Sequence, residues 1–359
     1  MKSTNPGPGA PSPNPPAAMA AAGPTRPSAP GGAIAPPGGP PGGPEVLERL
    51  TRSVGESVIG YDPVVRLLSV ALVAEGHVLL EGVPGVAKTM LVRRFSSALD
   101  LTFKRIQFTP DMLPSDIVGT VILNPLSQGF EYRRGPVFAN VVLADEINRA
   151  PPKVQSALLE AMQERQVTVD GTPYPLPRPF IVIATENPIE QEGTYPLPEA
   201  ELDRFLFRIL IGYPSEAEER TLLTRHTGAP VPEATSLGLD AGTWDRLRTD
   251  SLAVGLTDDL LDYVVRLIRS TRTDPRILMG ASPRAGVQFL RATKAAALLA
   301  GREYATPGDV KSVLFEVLNH RILLHPDLLA QRYVTGRNGV EPLLREVLEK
   351  RAEEVRAPR

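Results

Sequence analysis

GVPGVAKT, Gly82 to Thr89, stands between a strand-like run, His77-Val78-Leu79-Leu80, and a segment in which Leu91, Phe95 and Leu99 recur at helical spacing. A glycine-rich turn in that context is what a phosphate-binding loop requires. Backbone amides of the turn and the positive end of the following helix face an anion, Lys88 reaches the outer phosphates, and the Thr89 hydroxyl sits on Mg²⁺. Gly82, Val83, Pro84, Gly85, Val86, Ala87, Lys88 and Thr89 are therefore the candidate cofactor-binding residues. Ala87 replaces the last glycine of the GxxxxGK[ST] pattern, so its methyl must point away from the phosphates. Taken alone, the stretch also fits a glycine-rich surface turn beside a lysine.

A second stretch narrows the choice. Asn140-Val141-Val142-Leu143-Ala144-Asp145-Glu146 is an apolar run ending in two acids, as expected of a buried parallel strand that delivers carboxylates to its C-terminal edge. Asp145 would hold Mg²⁺ through its water shell, and Glu146 would orient and polarise an attacking water. An isolated Asp-Glu pair would as readily be a solvated strand end or a helix N-cap. With the loop, it signals a nucleotide hydrolase.

Composition excludes other classes. The chain of 359 residues, 42% hydrophobic, is long enough for two domain cores. A net charge of -2 gives no global basic field for nucleic acid or anionic membranes. Absence of cysteine excludes disulfides, thiolate nucleophiles and cysteine metal sites. The four histidines are scattered, and His320 and His325 are five apart, off a common helical face. Residues 1–44 hold 14 of the 38 prolines and no acidic residue, the composition of a disordered tail. Ala17 to Ala22 lacks the leucine- or valine-rich core of a signal peptide, and the apolar run Val64 to Leu80 is broken by Arg66 and Glu75. A cytoplasmic protein without a membrane span is expected.

The pattern predicts helices at Val46 to Val58 and Pro63 to Ala74, then strands at Val78 to Glu81, Lys104 to Phe108, Val141 to Asp145, Phe180 to Thr185 and Phe207 to Ile211. Alternation with helices gives an α/β, doubly wound parallel sheet. Two β-hairpins interrupt it, at Val118 to Phe138 and at Gln166 to Phe180, the second around Asp170-Gly171. Beyond Tyr213 helix signals dominate: a Ser215/Glu218 capping box, Ser282-Pro283, Thr306-Pro307, and a last helix near Pro342 to Val355. The expected domains are thus a tail at 1–44, an α/β core at 45–213 and an all-helical lid at 214–359, with Trp244 as a packing residue.

Across about residues 45 to 355 the sequence resembles the MoxR family of AAA+ ATPases. The strings that carry the resemblance are EGVPGVAKT (81–89), QFTPDMLPSDIVG (107–119), LADEINRAPPKVQSALLEAMQERQVTVDG (143–171), ATENPIEQEGTYPLPEAELDRF (184–205) and ASPRA (281–285). The resemblance implies ATP and Mg²⁺ as cofactors, held by Gly82, Gly85, Lys88, Thr89 and Asp145, with Glu146 catalytic. It implies that Asn187 is sensor 1, although a turn residue before Pro188 also fits the position. Arg204 looks like an arginine finger supplied to a neighbouring subunit, or a cation at a helix C-terminus. Arg284 looks like sensor 2 on the lid, acting in cis or in trans. Tyr61 stands where the family usually has glutamine.

The function implied is an ATP-driven remodeller: a homo-oligomeric ring, a hexamer, whose hairpins act on a client protein, assisting maturation, metal insertion or complex assembly with von Willebrand A-type partners. Two alternatives remain at this point. A nucleic-acid motor would need several cations per strand, but the second hairpin's tip, Asp170-Gly171-Thr172, has no lysine, and the first offers only Arg133 and Arg134. A nucleotide-gated scaffold with little turnover would have no use for Glu146 and Arg204.

Overall fold

The computed structural model describes residues 41–124, 129–188, 193–226, 236–328 and 340–358. Val78–Gly82 (β1), Phe103–Gln107 (β2), Val141–Asp145 (β5), Ile181–Glu186 (β8) and Phe207–Ile211 (β9) pair in parallel, in the order β2-β5-β8-β1-β9. Strand alternation divides their side chains between two buried faces. Val78, Leu80, Leu143, Ile181, Ile183 and Phe207 belong to one apolar cluster, while Leu79, Val142, Ala144, Val182 and Ala184 belong to another. Burial on both faces explains why these strands read as continuous apolar runs.

The first face is covered by Gly43–Gly55 (α1), Asp62–Val73 (α2) and Lys88–Ala98 (α3) through Leu50, Leu68, Leu91 and Phe95. The second is covered by Pro114–Val118 (α4) and Pro152–Glu164 (α5) through Ile117, Val154, Leu158 and Met162. Two antiparallel hairpins lie on this side of the chain's course, Gly119–Asn124 (β3) with Gly129–Arg134 (β4), and Gln166–Val169 (β6) with Thr172–Pro175 (β7). Asp170 and Gly171 both take left-handed backbone, at φ 48° and 77°, the conformation an Asp-Gly hairpin turn demands. The expected Asn124-Pro125 and Gln128-Gly129 turns involve positions 125–128, outside the described residues.

Helices follow: Glu199–Leu202 (α6), Glu216–His226 (α7), Ala241–Ala253 (α8), Asp258–Thr271 (α9), Pro283–Leu299 (α10), Pro307–Leu318 (α11) and Val340–Glu354 (α12). Their starts are capped as read. Ser282 accepts from the Ala285 amide, Thr306 and Asp309 form a capping box, and the Ser215 amide donates to Glu218 Oε2 at 2.8 Å. One addition to the helical pattern is a short antiparallel pair, Ile277–Met279 (β10) with Leu323–Leu324 (β11), where the segments leaving α9 and α11 run extended side by side. Trp244 is buried and donates Nε1–H to the Leu239 carbonyl.

Helix α1 begins before the Val46 read from sequence. Arg246 donates to the Pro41 carbonyl, and a Cβ on Gly43 would meet the Leu298 carbonyl oxygen at 2.6 Å, so α1 approaches α10 at a glycine. Ordered packing therefore includes residues 41–44; positions 1–40, to which the rest of the tail expectation applies, lie outside the described residues. Among the described residues no helix is long and apolar enough to cross a membrane.

Candidate active site

Because β1, β5 and β8 are neighbours in the sheet, their C-terminal ends deliver Gly82, Asp145 and Asn187 to one edge. The Gly82–Thr89 loop lies there, and no side chain caps the N-terminus of α3. The first amides of that helix are thus left for an anion. Gly85 (φ 85°) and Ala87 (φ 55°) turn the loop through left-handed backbone. For Ala87 that costs about 1–2 kcal/mol relative to a relaxed conformation. Tyr61, buried under the loop, donates its phenolic hydrogen to the Val86 carbonyl, fixing the peptide unit that leads into Ala87.

Lys88 Nζ donates to the Glu186 carbonyl at 2.8 Å and to that of Gly82. Partial burial pulls its pKa below the usual lysine range, against the pull of Asp145, Glu146, Glu81 and Glu186. Asp145 is buried. Its Oδ1 accepts from Thr185 Oγ1 at 2.6 Å, its Oδ2 accepts from Arg105 Nη2 at 2.7 Å, and the Thr89 hydroxyl stands 3.2 Å from Oδ2. The two metal candidates are therefore adjacent, a hydroxyl and a carboxylate, the hard oxygen donors that suit Mg²⁺. Glu146 sits at φ 59°, its amide on Thr185 Oγ1 and its carboxylate on Gln107 Nε2 at 2.8 Å and Arg149 Nε at 3.1 Å. Asn187 is buried beyond β8 and lines the same cavity of about 500 Å³ as the loop, Asp145 and Glu146.

Arg105, Gln107 and Thr185 escaped the sequence reading. A signal existed for two of them: strand alternation puts Arg105 and Gln107 on one side of β2, and the register pairs Gln107 with Asp145. Thr185 carries no such mark, since it reads as one more β-branched strand residue.

Arg204 and Arg284 lie elsewhere. They line a second cavity, of about 140 Å³, with Gly76, His77, Arg291 and Gln288, at the N-terminal ends of β1 and β9. Gly76 to Gly82 is six residues of extended chain, so this cavity is about 20 Å from the loop, across the sheet. Arg284, in the first turn of α10, stands 3.8 Å from Asp203 Oδ2. The Arg204 guanidinium has no hydrogen-bond or ion-pair partner among the described residues. Arg165, also in the wall, is already paired with Glu75 at 2.5 Å.

Comparison with known proteins agrees with this geometry. Residues 77–207 match the ATPase family associated with various cellular activities (AAA), and residues 269–342 match an AAA lid domain. The chain is 48% identical to the protein named Chaperone MoxR1 of Mycobacterium tuberculosis, covering 84% of each chain. It is 33% identical to Protein MoxR of Methylorubrum extorquens, over 79% of this chain and 89% of that one. A crystal structure of a proposed ATPase from Cytophaga hutchinsonii superposes with a TM-score of 0.78 at 39% identity, covering 87% of this chain and 95% of the other. The chain belongs to the MoxR family of AAA+ ATPases, and hydrolysis of ATP with Mg²⁺ is its chemistry.

Proposed function

We propose that the protein is a chaperone-like remodeller that assembles into a ring and spends ATP on client proteins. Gly82 to Thr89 hold the phosphates, and Lys88 exchanges its carbonyl partners for phosphate oxygens. Thr89 and Asp145 serve Mg²⁺, the latter through water; Glu146 polarises the attacking water, and Asn187 holds that water or the γ-phosphate. Arg204 and Arg284 complete the site of the adjacent subunit. The core, 45–213, and the lid, 214–359, move against each other during the cycle.

The observation that carries this reading is the division of the machinery between opposite edges of one sheet. Phosphate- and metal-binding groups occupy one edge, and the cavity with Arg204, Arg284 and Arg291 occupies the other. Complementary patches on opposite faces pair head to tail, and such heterologous contacts give a ring when the rotation between subunits closes. Six subunits and a von Willebrand A-type partner are proposed on family resemblance. For client contact the first hairpin is the candidate. Leu123 and Phe130 face each other across its strands and are 59% and 81% exposed, and Tyr132 stacks on Tyr174 of the second hairpin at 4.4 Å. Such an apolar tip suits unfolded protein better than a phosphate backbone. The maturation of a complex or metalloprotein is the kind of work that fits.

The test separates the two half-sites. Arg204→Ala is expected to bind ATP like the parent and to lose roughly 10³-fold or more in turnover. Lys88→Ala lacks a working nucleotide site but keeps its finger, so mixing the two restores some turnover. A linear, additive response to mixing ratio would overturn the shared site.

A further inference from the structure

Three consecutive residues after α11 grip the backbone around Arg204. Arg321 is buried. Its Nε donates to Asp203 Oδ1 at 2.7 Å, its Nη2 faces the carbonyls of Asp203 and Phe205 on either side of Arg204, and its Nη1 donates to the Leu206 carbonyl at 3.2 Å. His320, kept neutral by burial and by the neighbouring guanidinium, places Nε2 3.0 Å from the Phe205 carbonyl, and Asn319 Nδ2 donates to that of Arg208 at 2.8 Å. Arg321 is tied to the helical part through Gln288 of α10 and the Val317 carbonyl of α11. Arg204 itself follows α6, a helix of only four residues, and its own guanidinium has no partner among the described residues.

We infer that Arg321 is a positioning residue for Arg204, a latch through which the lid sets the aim of the finger offered to the neighbouring subunit. The inference rests on reading Arg204 as that finger. The Asp203 carbonyl fixes the peptide plane before Arg204, the Phe205 amide on the Leu202 carbonyl at 3.0 Å fixes the plane after it, and the Phe205 carbonyl fixes the one beyond, so the direction in which the Arg204 side chain leaves the backbone is set. A guanidinium suits the task because its five donors lie in one rigid plane, and in a buried place such charge-assisted bonds resist exchange with water. The latch belongs to the helical part, so a lid displacement displaces Arg204. The state of one nucleotide site is thereby communicated to the next through the finger.

The test uses Arg321→Lys, which keeps the charge opposite Asp203 but cannot span the carbonyls, and Asp203→Asn, which removes the carboxylate without emptying the core. Each is compared with Arg204→Ala for binding of a fluorescent ADP analogue, for kcat and KM, and for melting temperature. Expected is parental ADP-analogue binding within about twofold and a kcat lowered at least tenfold, KM being nearly unchanged. Mixing with Lys88→Ala, whose finger is intact, restores turnover; mixing with Arg204→Ala, which supplies a good site and no finger, does not. A lesion confined to the variant's own site would give no rescue by Lys88→Ala and would overturn the latch. So would parental kcat in folded Arg321→Lys and Asp203→Asn while Arg204→Ala is inactive. If Arg204→Ala itself turns over normally, the finger reading falls and the latch falls with it.

Discussion

At Ala87 a side chain occupies backbone that glycine adopts freely, and the loop holds it there with a tether from far back in the chain. Tyr61 lies 25 residues before Val86, yet its hydroxyl meets the carbonyl that precedes Ala87. A buried hydrogen bond of this kind contributes about 1 kcal/mol, close to the cost of the left-handed alanine. Tyr61→Phe is therefore expected to weaken nucleotide binding about three- to tenfold. In an Ala87→Gly background, where the strain is gone, the same change should cost less. A double-mutant cycle on fluorescent-nucleotide affinity measures the difference, and equal costs in both backgrounds would show that tether and strain are unconnected. Both residues stood out in the sequence as departures, Ala87 from the loop pattern and Tyr61 from the family's glutamine. Their contact did not, because a motif reports chemistry along the chain and a hydroxyl's partner is settled by packing. Arg105 on Asp145, 40 residues apart, was hidden for the same reason.

The elements were legible wherever a local rule decided them. Val141–Asp145 and Phe207–Ile211 match their predicted limits, and the Asp170-Gly171 hairpin and the caps at Ser282 and Thr306 follow from turn and cap chemistry. What elements do to each other was not legible. His77, scattered in sequence from any other histidine, joins three of them. It immediately precedes β1, places Nε2 3.1 Å from the Met162 carbonyl of α5, and its Nδ1 accepts from the Val182 amide of β8 at 3.0 Å. One bond needs a donor and the other an acceptor, so the ring must be neutral, and burial lowers its pKa from 6.5 to about 4. The unfolded chain takes up a proton below about pH 6.5, and the folded one refuses it until about pH 4. The stability contributed is thus intact above that window and lost as pH falls through it, at up to about 1.4 kcal/mol per pH unit. His77→Gln retains one donor and one acceptor without a proton to gain. Its melting temperature should fall less steeply between pH 6.5 and 5 than the parent's; parallel curves would assign the acid sensitivity to other groups.

Across the whole molecule, one apolar cluster runs from Val46 to Ala352 and joins α1, α2, α3, one face of the sheet and the helices α8 to α12. Periodicity in the sequence marks each apolar face but does not name its partner, so it does not reveal that helices beyond Tyr213 share this cluster with one face of the sheet. Arg204 and Arg284 lie at one edge of the sheet and the loop at the other, so in the function proposed above a subunit alone carries the chemistry in two separated halves. On that proposal ATP binding belongs to the subunit, and turnover belongs to the contact between subunits. Specific ATPase activity is accordingly expected to rise with protein concentration and reach a plateau, whereas affinity for a fluorescent ADP analogue stays nearly constant. The proposed contact would set a cationic cavity against phosphate charge, and screening shortens such an attraction from about 10 Å at 0.1 M salt to about 3 Å at 1 M. Raising ionic strength should therefore move the activity midpoint to higher protein concentration. The measurement is ATPase rate per subunit against concentration at two salt levels, with sedimentation velocity reporting assembly in the same samples. A rate per subunit that stays constant down to concentrations at which only monomers sediment would place both halves of the chemistry within one chain and remove the reason for a ring.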